Sequence, residues 1–347
     1  MATTAVYPGS FNTFIPDFET SGKLQVEYSR NVNDFPLNKY VGFKTTQKPI
    51  GYYLQITGAE AARIVTQQDY FWPDGQNAPD DHAGTESFKF PLFECARYAF
   101  GWTLGQMAVD NANFEVVAAH ARIHAQKAMT ARTQRVITAL TTSGNWPAAN
   151  TATGTTAGGG AWATSSNTNQ YILKSFLYAQ NAIHKTSLGA VRPDKLTCVI
   201  SPELAQVIRY NSEITDYIKQ NNTALNTLAG NSFFERWGIP PRLYGVRMVV
   251  EDTVQVSTRK GQTVSPSHAF PNNTAVFLYT PDGLESGIEP ADSAPTFNTV
   301  TLFVAKGMDM AVETMNDPNN KLVRGRVIDM TAEVLTAPAS GFLLTEC

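Results

Sequence analysis

The alternation of apolar and polar positions changes period several times along the chain, and each change marks an element. Residues 1–40 mix Pro, Asn and aromatic residues with no sustained period, as an extended arm that orders against something else would. "PIGYYLQI" (49–56) and "ESFKFPLFECARYAFGW" (86–102) are β-rich. In the second, Phe88, Phe90 and Leu92 alternate with Ser87, Lys89 and Pro91, the period of a strand with two unlike faces. The turn formers of "YFWPDGQNAPDDHAGT" (70–85) lie between them, so the pattern predicts a long β-ribbon with an elaborate tip. Two strands alone are marginal in water, and such a ribbon should lean on a neighbour.

From Met107 to Leu140 the period becomes helical. Phe114, Val117, Ala118, Ala121, Ala125, Ala128, Met129, Val136, Ala139 and Leu140 fall near one stripe. Neither Gly nor Pro interrupts 107–140, which predicts one helix of about 50 Å. The Gly/Thr/Ala/Asn-rich stretch 141–170 then marks the clearest domain boundary. A second helix carries Ile172, Phe176, Ala179 and Ile183 on one face. A short apolar strand (195–200) runs into a helix after Ser201 that carries Leu204, Val207, Ile208, Ile214 and Ile218. "LYGVRMVVED" (243–252), "TAVFLYT" (274–280) and "TVTLFVA" (299–305) read as strands of a mixed sheet. "MDMAVETM" (308–315), the turn "NDPNN" (316–320) and "KLVRGRVIDMTAEVLT" (321–336) read as a hairpin with a long second strand.

Composition narrows the class. With 347 residues and 43% hydrophobic content the chain can bury a sizeable core. Only 16% of residues are charged, against roughly 25% in ordinary soluble proteins. A large chain so short of surface charge points to oligomerisation. The net charge of −3 gives no footprint for tight nucleic-acid binding. Three cysteines without paired spacing imply no disulfide framework. The start "MATTAVYPGSFNTF" lacks the basic and apolar regions of a signal peptide, and no apolar run is long enough to span a membrane.

The candidate chemistry is thin. Ser201, on a strand-to-helix turn, is placed as a hydrolase nucleophile would be. A nucleophile elbow needs small neighbours and a following N–H, but Ser201 stands between Ile200 and Pro202. The same residues make a helix start: Ser201 as N-cap, Pro202 at the first helical position, Glu203 against the helix dipole. His120 and His124 have zinc-ligand spacing, but Ala121 replaces the glutamate of the metalloprotease pattern and no third ligand is evident. His82 follows Asp80 and Asp81 in a turn, where such a pair is ordinarily solvated. "GTTAGGGAW" (154–162) lacks the lysine and spacing of a phosphate cradle. Arg122, Lys127, Arg132 and Arg135 make the long helix basic, reading as a solvated or intersubunit face or a loose contact with packaged nucleic acid. No catalytic residue, cofactor site or metal site is assigned. The expected assembly contacts are the aromatics of the ribbon tip, Tyr70, Phe71 and Trp72.

The order of parts is arm, long β-ribbon, long helix, Gly-rich loop, α/β domain and returning β-hairpin. It resembles the major capsid protein of tailed bacteriophages, the Hong Kong ninety-seven type fold also seen in encapsulins and in the floor of herpesvirus capsids. The ribbon is similar to that family's E-loop and 107–140 to its spine helix. "TCVISPELAQVIRY", "LYGVRMVVED" and the closing "MDMAVETMNDPNNKLVRGRVIDMTAEVLTAPASGFLLTE" resemble its later elements. The resemblance implies an α+β fold with an N-terminal arm (1–40), an E-loop (41–101) and a peripheral domain (102–150 and 298–336). An axial domain (151–297) and a C-terminal tail (337–347) complete it. It implies a non-enzymatic subunit of hexamers and pentamers in an icosahedral head around double-stranded DNA, assembled in the host cytoplasm and present in the virion. Portal and scaffolding proteins would be partners, with a decoration protein as a further candidate. Some members cross-link subunits through an E-loop lysine, but no lysine lies between Lys48 and Lys89 here. Nor do residues 1–40 match the charged helical scaffolding segment of other members. Two alternatives remain: an encapsulin-like compartment, or an enzyme in which Ser201 or the pair His120 and His124 matters.

Overall fold

A computed structural model describes residues 29–55, 72–76, 89–112, 115–219, 237–259, 261–280 and 297–347. Two 3-10 turns, Val32–Asp34 and Pro36–Lys39, lead into β1 (Gly42–Thr46) and β2 (Ile50–Tyr52). The chain returns through β3 (Leu92–Glu94) and β4 (Ala96–Gly105) to a short helix α1 (Gln106–Asp110) and the long α2 (Val116–Thr141). There follow β5 (Thr151–Thr153), α3 (Gly154–Gly158), α4 (Tyr171–Thr186), β6 (Leu196–Ile200), α5 (Pro202–Tyr210) and α6 (Ser212–Lys219). Next come β7 (Arg242–Leu243), β8 (Val246–Val250), β9 (Val254–Val256), β10 (Pro266–His268) and β11 (Thr274–Tyr279). The chain closes with β12 (Thr301–Ala305), β13 (Ala311–Asp317), β14 (Leu322–Val334) and β15 (Phe342–Thr345).

One sheet has the order β5-β15-β11-β6-β8-β7. Along β11, Ala275 and Phe277 pack with α4 and α5, while Val276 and Leu278 pack with α2 and residues 35–41. A sheet covered on both faces needs apolar residues at successive positions, which is why 198–200 and 275–279 read as unbroken apolar runs, with Thr197 and Thr274 also buried. The second sheet is organised on β14. Its residues 322–331 pair with β4 along one edge; on the other, 322–328 pair with β13 and 331–334 with β12, which runs parallel to β1.

Several expectations change. The helix expected over 107–140 is two, because Asp110 and Asn111 lie where the first one ends. Such side chains compete for nearby backbone groups, and the Asn111 N–H closes on the Met107 and Val109 carbonyls. Phe114 lies outside the described residues. The helix after Ser201 is also two: Asn211 turns its side chain to the Glu213 N–H (2.9 Å) and the Trp162 carbonyl (2.8 Å). Residues 299–305 do not join 243–252 and 274–280 in one sheet; β12 belongs with β14. Residues 337–347 are no tail, since the apolar run at Phe342–Thr345 fills an inner position of the six-stranded sheet. Residues 1–28 lie outside the described residues, but the end of the expected arm orders against its own chain. Phe35, Leu37, Tyr40 and Val41 are buried, and Arg30 binds Asp252 at 2.7 Å.

Polar contacts lock α2 to β14. Asp329, with no exposed surface, accepts from Arg132 at 2.6 Å and Arg135 at 2.9 Å; Arg132 also meets Asp309 and Arg135 meets Glu333. Removing one partner of a buried pair strands the other charge, at about 3–5 kcal/mol. Asp329→Asn should therefore lower stability by about that much in urea denaturation; an unchanged midpoint would refute the internal role of these arginines.

A second buried carboxylate, Glu251, accepts from the Tyr40 hydroxyl (2.7 Å) and the Thr253 N–H (3.2 Å). Burial raises its pKa, against the lowering effect of these hydrogen bonds. The folded chain therefore holds this proton more tightly than the unfolded chain. That contribution to stability is complete below the unfolded carboxylate pKa and is lost as pH rises through the raised folded value. Glu251→Gln cannot lose it, so the variant should gain stability relative to wild type as pH climbs from 4 towards neutrality, measured by thermal melts across pH. The opposite trend would show that the hydrogen bonds outweigh burial.

Candidate assembly surface

The ribbon leaves the body as β2 paired antiparallel with β3, Gly51 opposite Phe93 and Tyr52 opposite Leu92, and the same register reaches the Gln55–Lys89 bridge. Strand alternation then gives two faces. On the inner one, the Phe93 ring stacks on Phe303 with centroids 4.1 Å apart, and Tyr53 lies over the same ring at 6.0 Å. Gly51 is required there, because a Cβ would stand 2.7 Å from the Phe93 ring. The outer face carries Ile50, Tyr52, Leu54, Phe90 and Leu92, each 52–69% exposed. Scattered exposed apolar residues are ordinary, but a contiguous patch on one face of a two-stranded ribbon marks a contact.

The second leg fixes how this face is presented. β4 pairs with β14 over ten positions, from Ala96–Thr331 to Gly105–Leu322. Trp102 lies across Gly325, where a Cβ would come within 2.2 Å of its ring, and its ring centroid is 5.0 Å from that of His124. The Arg135 guanidinium covers Tyr98 at 3.8 Å. Further along the chain, Trp72 is exposed and donates from its indole N–H to the Gln76 carbonyl across the turn at Asp74 and Gly75. Tyr70 and Phe71 lie outside the described residues, as do His82 and Phe88. The outer patch was visible in sequence as period-two alternation in "PIGYYLQI" and at Phe90 and Leu92, but alternation does not say which face looks outward.

The chemical candidates resolve into structure. Ser201 is buried; its hydroxyl oxygen accepts from the Leu204 N–H at 3.1 Å and its O–H donates to the Asn272 carbonyl at 3.2 Å. His124 contacts the His120 carbonyl at 2.9 Å, and the His120 pKa is lowered by burial and by His124. Among the described residues, no three His, Cys, Asp or Glu side chains form a metal-binding group. In the Gly-rich loop a Cβ on Gly154 would meet the Glu346 carbonyl at 2.4 Å, and one on Gly158 the Ser175 hydroxyl at 2.4 Å. These glycines allow close packing. The basic helix face is corrected in part, since Arg132 and Arg135 point inward to carboxylates and offer no charge to nucleic acid. Cys95, Cys198 and Cys347 are free and buried. As a cap, Ser201→Ala should cost about 1 kcal/mol in chemical denaturation, and the purified protein should contain no stoichiometric zinc by elemental analysis. One zinc per chain would restore His120 and His124 as ligands.

No protein-family model matches the sequence, and no curated protein matches it. Solved structures do match over nearly the whole chain. A phage-related protein from Bordetella bronchiseptica superposes with a TM-score of 0.57 at 14% identity, covering 89% of this chain and 91% of that one. The capsid of an empty GTA particle gives 0.55 at 12%, covering 97% and 99%. The holo encapsulin complex of Synechococcus elongatus gives 0.52 at 9%, covering 96% of each chain. With its ribbon, long helix, two-sided α/β sheet and closing hairpin, the chain has the Hong Kong ninety-seven type fold shared by phage capsids and encapsulins.

Proposed function

We propose that the chain is a shell subunit, the major capsid protein of a tailed-phage type head, assembling into hexamers and pentamers around double-stranded DNA and acting without catalysis. The observation that carries this is the outer face of the ribbon: five large apolar side chains projected from the body on a fold whose neighbours include a capsid. The occupant of that face is a second copy of the chain. Closed symmetry offers every subunit the same neighbour, so many modest interfaces add up without any one being strong.

In this reading residues 1–40 form the arm, 41–101 the E-loop, 102–150 with 298–336 the peripheral domain, and 151–297 the axial domain. The axial domain also takes in 342–345, because β15 completes its sheet. Tyr70, Phe71 and Trp72 would extend the contact to the ribbon tip. Portal, scaffolding and decoration proteins are the further partners to seek.

Two variants test the reading. Tyr52→Ser with Leu54→Ser and Leu92→Ser breaks up the outer patch, leaving only Ile50 and Phe90 of its five side chains, and keeps Phe93 on Phe303; replacing 68–84 by a Gly-Asn turn removes the tip. Both should keep the circular dichroism and cooperative melting of the wild type, yet sediment as monomers or capsomers where the wild type forms shells. Normal shells from both would refute the ribbon as the assembly clamp. Protein cargo in place of DNA within wild-type particles purified from their source would identify the encapsulin alternative.

A further inference from the structure

The strand β7 ends the six-stranded sheet and turns into β8 through Tyr244 and Gly245, both with positive φ (50° and 84°). This is the tight two-residue turn of a β-hairpin, with Leu243 opposite Val246 and Arg242 opposite Arg247. The Met248 N–H donates to the Pro241 carbonyl at 2.8 Å, so Arg242 and Arg247 form the intervening pair without mutual backbone hydrogen bonds. Side chains approach most closely at such a pair, and like charges directly opposite destabilise it. The turn is fixed from below: the Tyr244 hydroxyl donates to buried Glu213 at 2.7 Å, and its carbonyl accepts from Gln180 at 3.1 Å.

Two exposed arginines are thus held side by side by a rigid support. Arg242 reaches the Asp194 backbone carbonyl at 3.3 Å, and Arg192 and Lys195 adjoin it. Among the described residues, Asp194 beside this pair is already matched to Arg192 at 3.2 Å. Charged side chains on an edge strand keep other strands away, but one would do that, and a directly opposed pair gains most when an anion lies between. Guanidinium forks fit phosphate oxygens two at a time, and a nucleic acid presents closely spaced phosphates that can satisfy several cations together.

We propose that Arg242 and Arg247 form a contact for the phosphate backbone of nucleic acid, loose and independent of base sequence. This rests on the shell reading for the source of the nucleic acid, while binding itself can be measured on unassembled protein. The test is fluorescence anisotropy of a short labelled duplex DNA against wild type and Arg242→Gln with Arg247→Gln, over rising salt. For two cations on phosphates, wild-type affinity should fall about tenfold between about 50 and 200 mM salt, and the double variant's should hardly change. If the double variant does not fold, Arg247→Gln alone should reduce the salt slope by about one unit. Equal slopes, or no binding by wild type at low salt, overturn the proposal; tighter binding of poly-glutamate than of duplex overturns it in favour of an acidic protein partner. Sedimentation separates the two readings. Normal shells with no duplex binding refute this contact alone, and salt-dependent binding without shells refutes the shell reading alone.

Discussion

The buried carboxylate of Asp329 holds the two halves of the molecule in register. On β14, Val327 meets Ala128 and Trp102, while Asp329, Thr331 and Glu333 meet Arg132 and Arg135 of α2. The alternate positions Met330, Ala332 and Val334 pack with Phe93 and Phe303 at the base of the ribbon. A slip of one residue would exchange the two sets, pushing Asp329 into the aromatic cluster and Met330 against two guanidinium groups. A buried ion network of this kind is weak evidence for stability but a strong discriminator among registers. Since β14 carries β4 on one edge and β12 and β13 on the other, its register decides where the long helix, the ribbon and the closing hairpin stand relative to each other.

The same polar interface explains where sequence reading fell short. The stripe on α4 (Ile172, Phe176, Ala179, Ile183), the buried strand at 196–200, the Ser201 cap and the hairpin of β13 and β14 were all legible, because each depends on local period or local capping. Arg132 and Arg135 looked like solvent-facing charges because their partners stand 177–198 residues away. The N-terminus of α4 was opaque for the same reason. Two N–H groups of its first turn, on Ile172 and Leu173, are satisfied by Glu213, 41 and 40 residues further on. Of the assembly surface, the alternation at the ribbon base was readable. Its outward direction was not, because it is set by Phe93 stacking on Phe303, two residues with no sequence relation.

These contacts also divide the molecule mechanically. The α/β sheet is sealed on both faces, and residues 35–41 brace it against α2 through Phe35, Leu37, Tyr40 and Val41. The β2–β3 ribbon has two strands, anchored by Phe93 and Tyr53 on the single ring of Phe303, so its pairing has less support than the ladders of the two larger sheets. Local opening is cheapest where few buried contacts must be broken. A subunit placed in both six-fold and five-fold rings must tolerate different neighbour angles. In the shell reading proposed above, the two-stranded ribbon would supply that compliance and the α2–β14 lock the stiffness. An apolar contact suits that division, because hydrophobic burial is non-directional and survives a change of angle that would break a buried hydrogen bond.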